Sequence, residues 1–228
     1  MFIDEYCSDN GFYKELPLDY SSNRRFGQIF VTHAYYPHEN LQFFRPVFDP
    51  AEKTKTIAEL FRIEAAGQDA FSRSFPLGVP KLESNEEFLV IRAKRRPVVL
   101  LQTESPLLKG LNQGYRGKLQ RHLCLVAQIF SLVDARTGIA KFDQALVDRI
   151  RMLEFPQFMF LPKVAGALSV DSLLRLDELQ SAFANQLKPY RVALNDEPAE
   201  ILRQQFRLLL TGEAVAAYIQ LREFLMTT

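Results

Sequence analysis

Three cations stand in a row, Lys94-Arg95-Arg96, and Pro97 follows them at the head of an aliphatic run, Val98-Val99-Leu100-Leu101. An arginine fork can grip a phosphate through two parallel hydrogen bonds, or stabilise charge developing on a phosphorane. Neighbouring side chains of a strand point to opposite faces, so one cation can reach a cleft while the next stays in water. Pro97 fixes φ and has no N–H to donate, which fixes where the strand starts. The same cluster also fits a plainer role as gatekeeper charges that keep an apolar strand from aggregating. Spacing alone favours that role.

The remaining polar residues offer less. Phosphate-binding loops of the form GxxxxGK[ST], a GxGxxG turn, a GxSxG elbow and an HExxH helix are all missing from the sequence. His33, His38 and His122 are the three histidines. Without a cysteine or carboxylate pattern beside them they predict surface or rim positions, and no metal and no cofactor is expected. The adjacent acids Glu86-Glu87 and Asp177-Glu178 would point to opposite faces of a strand, so both pairs read as solvated surface charge and not as an acid–base couple.

Charge is almost balanced, 28 basic against 27 acidic side chains, which argues against a protein that coats nucleic acid through many phosphate contacts. A small cleft for one phosphate run is compatible with it. The two cysteines form no disulfide framework and no CxxC pair; Cys124 lies in an apolar run and is expected in the core. The first ten residues lack the basic start and apolar run of a signal peptide. No segment is apolar for long enough to span a membrane, so a cytoplasmic location is expected.

The elements that must carry these residues read as mainly β with some α, an α+β chain. Residues 1–25 form an extension with one short element, and residues 26–228 a single domain. Strands are predicted over residues 27–36, 87–93, 97–102, 123–130 and 158–161 from their β-branched and aliphatic content. Residues 172–179 fit a strand or a helix equally well. Helical spacing appears at 53–66, at 143–153 behind an Asp143 cap, at 196–210 with Asp196 as cap and Gly212 as stop, and again at 214–226. Residues 38–85, 103–121 and 132–154 read as insertions into the sheet.

In this order the segments resemble the MazF/PemK-like toxins. The likeness rests on Gly27-Gln28-Ile29-Phe30-Val31, on Arg96-Pro97-Val98-Val99-Leu100-Leu101, on Leu125-Val126-Ala127-Gln128-Ile129-Phe130-Ser131, and on Gly166-Ala167-Leu168-Ser169-Val170-Asp171-Ser172 leading into residues 173–179 and a terminal helix at 195–210. The resemblance implies an SH3-like barrel of the toxin type with helical insertions and C-terminal helices, and it favours strand for 172–179. It also implies a metal-independent endoribonuclease of a toxin–antitoxin system that cleaves single-stranded RNA, works as a homodimer and is held by an antitoxin protein. The family's arginine falls on Arg96. Its partner hydroxyl, a Thr in a Thr-Ser pair, falls on Phe130, leaving Ser131 as the second catalytic candidate, with Lys94 and Arg95 as RNA-guiding cations. The alternatives are a non-catalytic barrel that binds protein or nucleic acid, and a toxin acting on a protein target.

Overall fold

The structure, a computed structural model, describes residues 1–35, 42–48, 56–62, 77–78, 81–82, 88–103 and 123–227. In chain order the strands are β1 (Tyr13–Glu15), β2 (Gln28–Tyr35), β3 (Gln42–Phe48), β4 (Thr56–Arg62), β5 (Leu77–Gly78), β6 (Lys81–Leu82), β7 (Phe88–Val90), β8 (Ala93–Gln102), β9 (Leu123–Ser131), β10 (Phe158–Leu161), β11 (Ser172–Phe183) and β12 (Lys188–Leu194). The helices are α1 (Ile3–Tyr6), α2 (Gln144–Arg151), α3 (Asp196–Thr211) and α4 (Ala216–Thr227). The chain divides into two compact units, residues 1–34 with 95–228, and residues 35–94.

The first unit is built on a seven-stranded antiparallel sheet of order β1-β12-β2-β8-β9-β11-β10. It is α+β, as the sequence predicts, but the sheet is open and not closed into a barrel. The physical reason lies in what covers it. Alternate residues of the central strands, Ile29, Val99, Ala127, Ile129 and Leu174, share one core cluster with Ile3 of α1, Val147 and Ile150 of α2, Ile201 and Leu202 of α3 and Tyr218 and Leu225 of α4. Helices bury the face that closure would otherwise bury, and β1 and β10 remain as separate edges. Val98, Leu100, Val126 and Phe30 belong to a second cluster with Ala184 and Leu187. The strand β8 is therefore apolar on both faces, which is why Val98-Val99-Leu100-Leu101 shows no alternation.

The short expected strand at 158–161 is β10, and the ambiguous 172–179 is the start of β11. Both C-terminal helices form where the spacing places them. Gly212 closes α3 at φ 74°, and the N-cap is Asn195 instead of Asp196. Asp143 sits at the N-cap of α2, but its side chain makes no capping hydrogen bond. The expected extension at 1–25 contributes α1 and β1, and its Ile3, Cys7, Phe12 and Leu16 are buried.

The second unit holds a three-stranded sheet of order β4-β3-β7 and the two-stranded pair β5-β6. The helix expected at 53–66 is a correction. Its described part, 56–62, is the strand β4, paired with β3 from Phe48↔Thr56 to Gln42↔Arg62. Ile57, Leu60 and Phe61 fit both periods over so short a run, and antiparallel pairing along the whole strand decides between them. Residues 53–55 and 63–66 lie outside the described residues, as do 104–122, which take in nearly all of the expected 103–121 insertion.

Candidate functional site

The register of β8 on β9 sets the site. Val98 pairs with Gln128, Val99 with Ala127 and Leu100 with Val126. Carried two residues toward the start of β8, that register puts Arg96 opposite Phe130. The Arg96 guanidinium carbon lies 4.2 Å from the centroid of the Phe130 ring. A cation over an aromatic face at this distance is attracted by the ring quadrupole, by about 0.5–1 kcal/mol where water reaches it. Both side chains are half-buried. The three cations lie inside β8, not before it, with Lys94 and Arg95 exposed.

A second arginine extends the row. On β11, Leu173 pairs with Phe130 and Arg175 with Gln128, while Phe158 of β10 pairs with Arg175. The Arg175 guanidinium lies 5.5 Å from the Phe130 centroid and 5.7 Å from that of Phe158. Cation, ring, cation and ring thus alternate across four strands on one sheet face. Arg175 is held firmly. Its Nε and Nη2 donate to Asp177 at 3.0 and 2.7 Å, and Nη1 lies 2.5 Å from Glu178. The Asp177 hydrogen bonds hold its guanidinium above the ordinary arginine range.

Asp177 is exposed, as expected of surface charge, but Glu178 corrects that reading. Glu178 is buried, with 9% of its surface exposed, and both acids serve Arg175 across an irregularity between Arg175 and Leu179, where the pairing with β9 slips. A bulge suspends the strict alternation that made the two acids look divergent. The segment Arg175-Leu176-Asp177-Glu178, three charged residues directly after the aliphatic pair Leu173-Leu174, is the trace of that bulge in the sequence. Phe158 and Arg175 were not among the predicted site residues.

Ser131 follows Phe130 and therefore points to the opposite face. It pairs with Ser172, and its Oγ accepts a hydrogen bond from Lys141 Nζ at 2.7 Å. The structure places Arg96 and Ser131 on adjacent strands without bringing their side chains together. Arg95 alternates away from Arg96 in the same way. His33 is exposed, and its carbonyl accepts from Gln180 Nε2 at 3.0 Å. His38, His122 and Glu86-Glu87 lie outside the described residues. Among the described residues no cluster of three or more His, Cys, Asp or Glu could hold a metal ion, and no helix is long and apolar enough to cross a membrane.

Fold and site together define an α+β protein whose open antiparallel sheet carries a row of arginines and phenylalanines on one face. No protein-family model matches the chain, and no curated protein sequence matches it.

Proposed function

We propose that this sheet face binds single-stranded RNA as a non-catalytic module. The observation that carries the reading is the stacking of Arg96 on Phe130. Unpaired bases stack on phenyl rings and on guanidinium planes, at about 1–3 kcal/mol per base, and every base has a π-face to offer. The formal net charge of +1 suits a short site that makes few phosphate contacts. Lys94, exposed two positions before Arg96 in the same strand, supplies charge for the backbone, whereas Arg95 alternates to the other face. Ser131 lies on the face opposite Arg96, where its Oγ accepts from Lys141 Nζ.

The test is fluorescence anisotropy of a labelled single-stranded RNA in EDTA, with Arg96→Ala and Phe130→Leu beside the parent chain. Affinity is expected to fall about tenfold in each, with the RNA intact, because each removes about one stacking contact. Unchanged affinity in both variants rejects the interface.

The second reading is the toxin-type endoribonuclease, a divergent member of the SH3-like barrel lineage with an antitoxin partner and a dimeric groove. It is favoured by the position of Arg96 directly before Pro97 at the head of the aliphatic part of β8. In that mechanism the substrate's own 2′-hydroxyl attacks the phosphate and Arg96 stabilises the developing charge. Cleavage in the same EDTA assay, lost in Arg96→Ala, selects it over the binding module.

A further inference from the structure

The row of cations and rings on the sheet face does not end at Phe158. Phe155 stands next to it, with ring centroids 6.2 Å apart and planes tilted by 58°. Beyond Phe155 comes Arg149 of α2, whose guanidinium carbon lies 4.7 Å from the Phe155 centroid. Arg96, Phe130, Arg175, Phe158, Phe155 and Arg149 therefore form one chain of contacts. It runs from β8 across the sheet and over its β10 edge onto α2.

The connection from α2 to β10 builds this outer half. Leu153, buried, follows the helix in the left-handed region at φ 59°. A non-glycine residue persists there only where its surroundings hold it. Arg222 of α4 helps to do so, since its Nε and Nη2 donate to the carbonyls of Leu153 and Glu154 at 2.8 and 2.9 Å. Pro156 then opens a turn closed by the Phe158 N–H on the Phe155 carbonyl at 3.1 Å. A turn of that kind brings its first and fourth residues together, so Phe155-Pro156-Gln157-Phe158 sets two rings side by side.

Charge separates the outer half from a phosphate track. Arg149 donates through Nε and Nη2 to Glu154 at 2.6 and 2.5 Å, much as Arg175 does to Asp177. Each guanidinium is neutralised by its own carboxylate, so it offers a flat surface with little net charge to draw a phosphate. The fork is also held in place beforehand, which lowers the cost of ordering it on a ligand. Half of the Arg149 side chain is exposed, and Phe155 and Phe158 are half-buried. Unpaired bases stack on such planes and rings whatever the base.

We propose that the stacking row continues past the sheet edge through Phe155 to Arg149, and that this outer half takes bases of the bound strand and not its phosphates. The proposal rests on the reading of the sheet face as a single-stranded RNA site and lengthens that site. A strand that reaches from Arg96 to Arg149 binds more tightly than one that covers the sheet strands alone.

Fluorescence anisotropy of the full chain in EDTA tests this, with a labelled oligoadenylate of roughly eight nucleotides, a length that one binding groove can cover. Phe155→Leu is expected to lower affinity about tenfold, the effect of one lost stacking contact. Arg149→Gln together with Glu154→Gln removes the guanidinium plane at constant net charge, on side chains at least a third exposed. That pair should lose a similar factor, while the slope of log affinity against log salt stays that of the parent. Arg96→Ala is the reference at the other end of the row. Combined with Phe155→Leu it should lose about a hundredfold, because distant sites contribute independently. A loss in Arg96→Ala with none in Phe155→Leu or the glutamine pair overturns the extension and leaves the sheet-face site standing. A salt slope smaller by about one in the glutamine pair would make Arg149 a phosphate contact and overturn its assignment to bases. No binding by the parent chain, or unchanged affinity in Arg96→Ala, removes the sheet-face reading and this extension with it.

Discussion

Single residues carry geometry here that no neighbour could supply. Gly27 has φ 79°, and a Cβ built on it would stand 3.2 Å from the Leu194 Cβ. Its N–H donates to the Leu100 carbonyl at 2.8 Å and its carbonyl accepts from Leu194 N–H at 3.0 Å, so it ties β8 to β12 at the start of β2. An alanine there meets both left-handed strain and a crowded neighbour whose backbone is fixed by pairing. Gly138, at φ 70°, has nothing within 4 Å of its added Cβ. Gly27→Ala is expected to lower stability by about 3 kcal/mol and Gly138→Ala by about 1 kcal/mol, the second value being strain alone. Urea unfolding of the two variants separates the contributions; equal losses would show that Leu194 gives way freely. Arg96 is another case of this kind. The sequence singled it out by type and by its place before Pro97, but its partner Phe130 sits 34 positions further on, and only strand register joins them.

At the scale of elements, the slip between Arg175 and Leu179 carries ion pairs from Arg175 to Asp177 and Glu178 beside the backbone hydrogen bond from Leu176 N–H to the Gln157 carbonyl. Glu178 keeps only 10% of its side chain exposed and Arg175 31%, so removing the arginine leaves a largely buried carboxylate without its counter-charge. Arg175→Met is expected to destabilise by about 3 kcal/mol, and adding Glu178→Leu to recover most of that loss, because a missing partner costs more than a missing pair. Urea midpoints of both single variants and the double variant close this cycle, and simple additivity would reject it. Elements with local causes were legible in the sequence: β8 and β9 from their aliphatic runs, and α3 from its stripe and its glycine stop. The bulge was not, since pairing with β9 creates it, and β4 was misread because a seven-residue strand and two helical turns share the same apolar spacing. The candidate site was half legible. Composition marked the cations, while the face each one occupies depends on register.

For the whole molecule, the decisive feature is that the chain's first residues complete its core. Ile3, Cys7, Phe12 and Leu16 are buried, and β1 pairs with β12 from Tyr13↔Leu194 to Glu15↔Val192. Asp4 takes a two-pronged ion pair from Arg151 of α2, with Nε at 2.9 Å and Nη2 at 2.6 Å, and the Tyr13 hydroxyl donates to the Pro162 carbonyl at 2.7 Å. Asn195, the cap of α3, donates through Nδ2 to the carbonyls of Asn10 and Gly11. Ile3, Phe12 and Leu16 alone contribute about 5–9 kcal/mol, comparable with the entire stability of a typical domain of about 5–15 kcal/mol. Cys7 reports on this docking. Burial, then the charges of Glu197 and Asp4, push its thiol up to about 12 from an ordinary value of 9.0. The folded state therefore holds that proton more tightly than the unfolded chain does. The contribution to stability is complete below about pH 9 and is lost as pH rises from there to about 12. Native protein at pH 8 is expected to resist iodoacetamide at Cys7 until the urea transition, and the transition midpoint to fall between pH 9 and pH 11. A chain lacking residues 1–16 should show no cooperative transition at all. Fast labelling of Cys7 in the native protein, or a cooperative transition in the truncated chain, would mean that these residues only decorate the sheet.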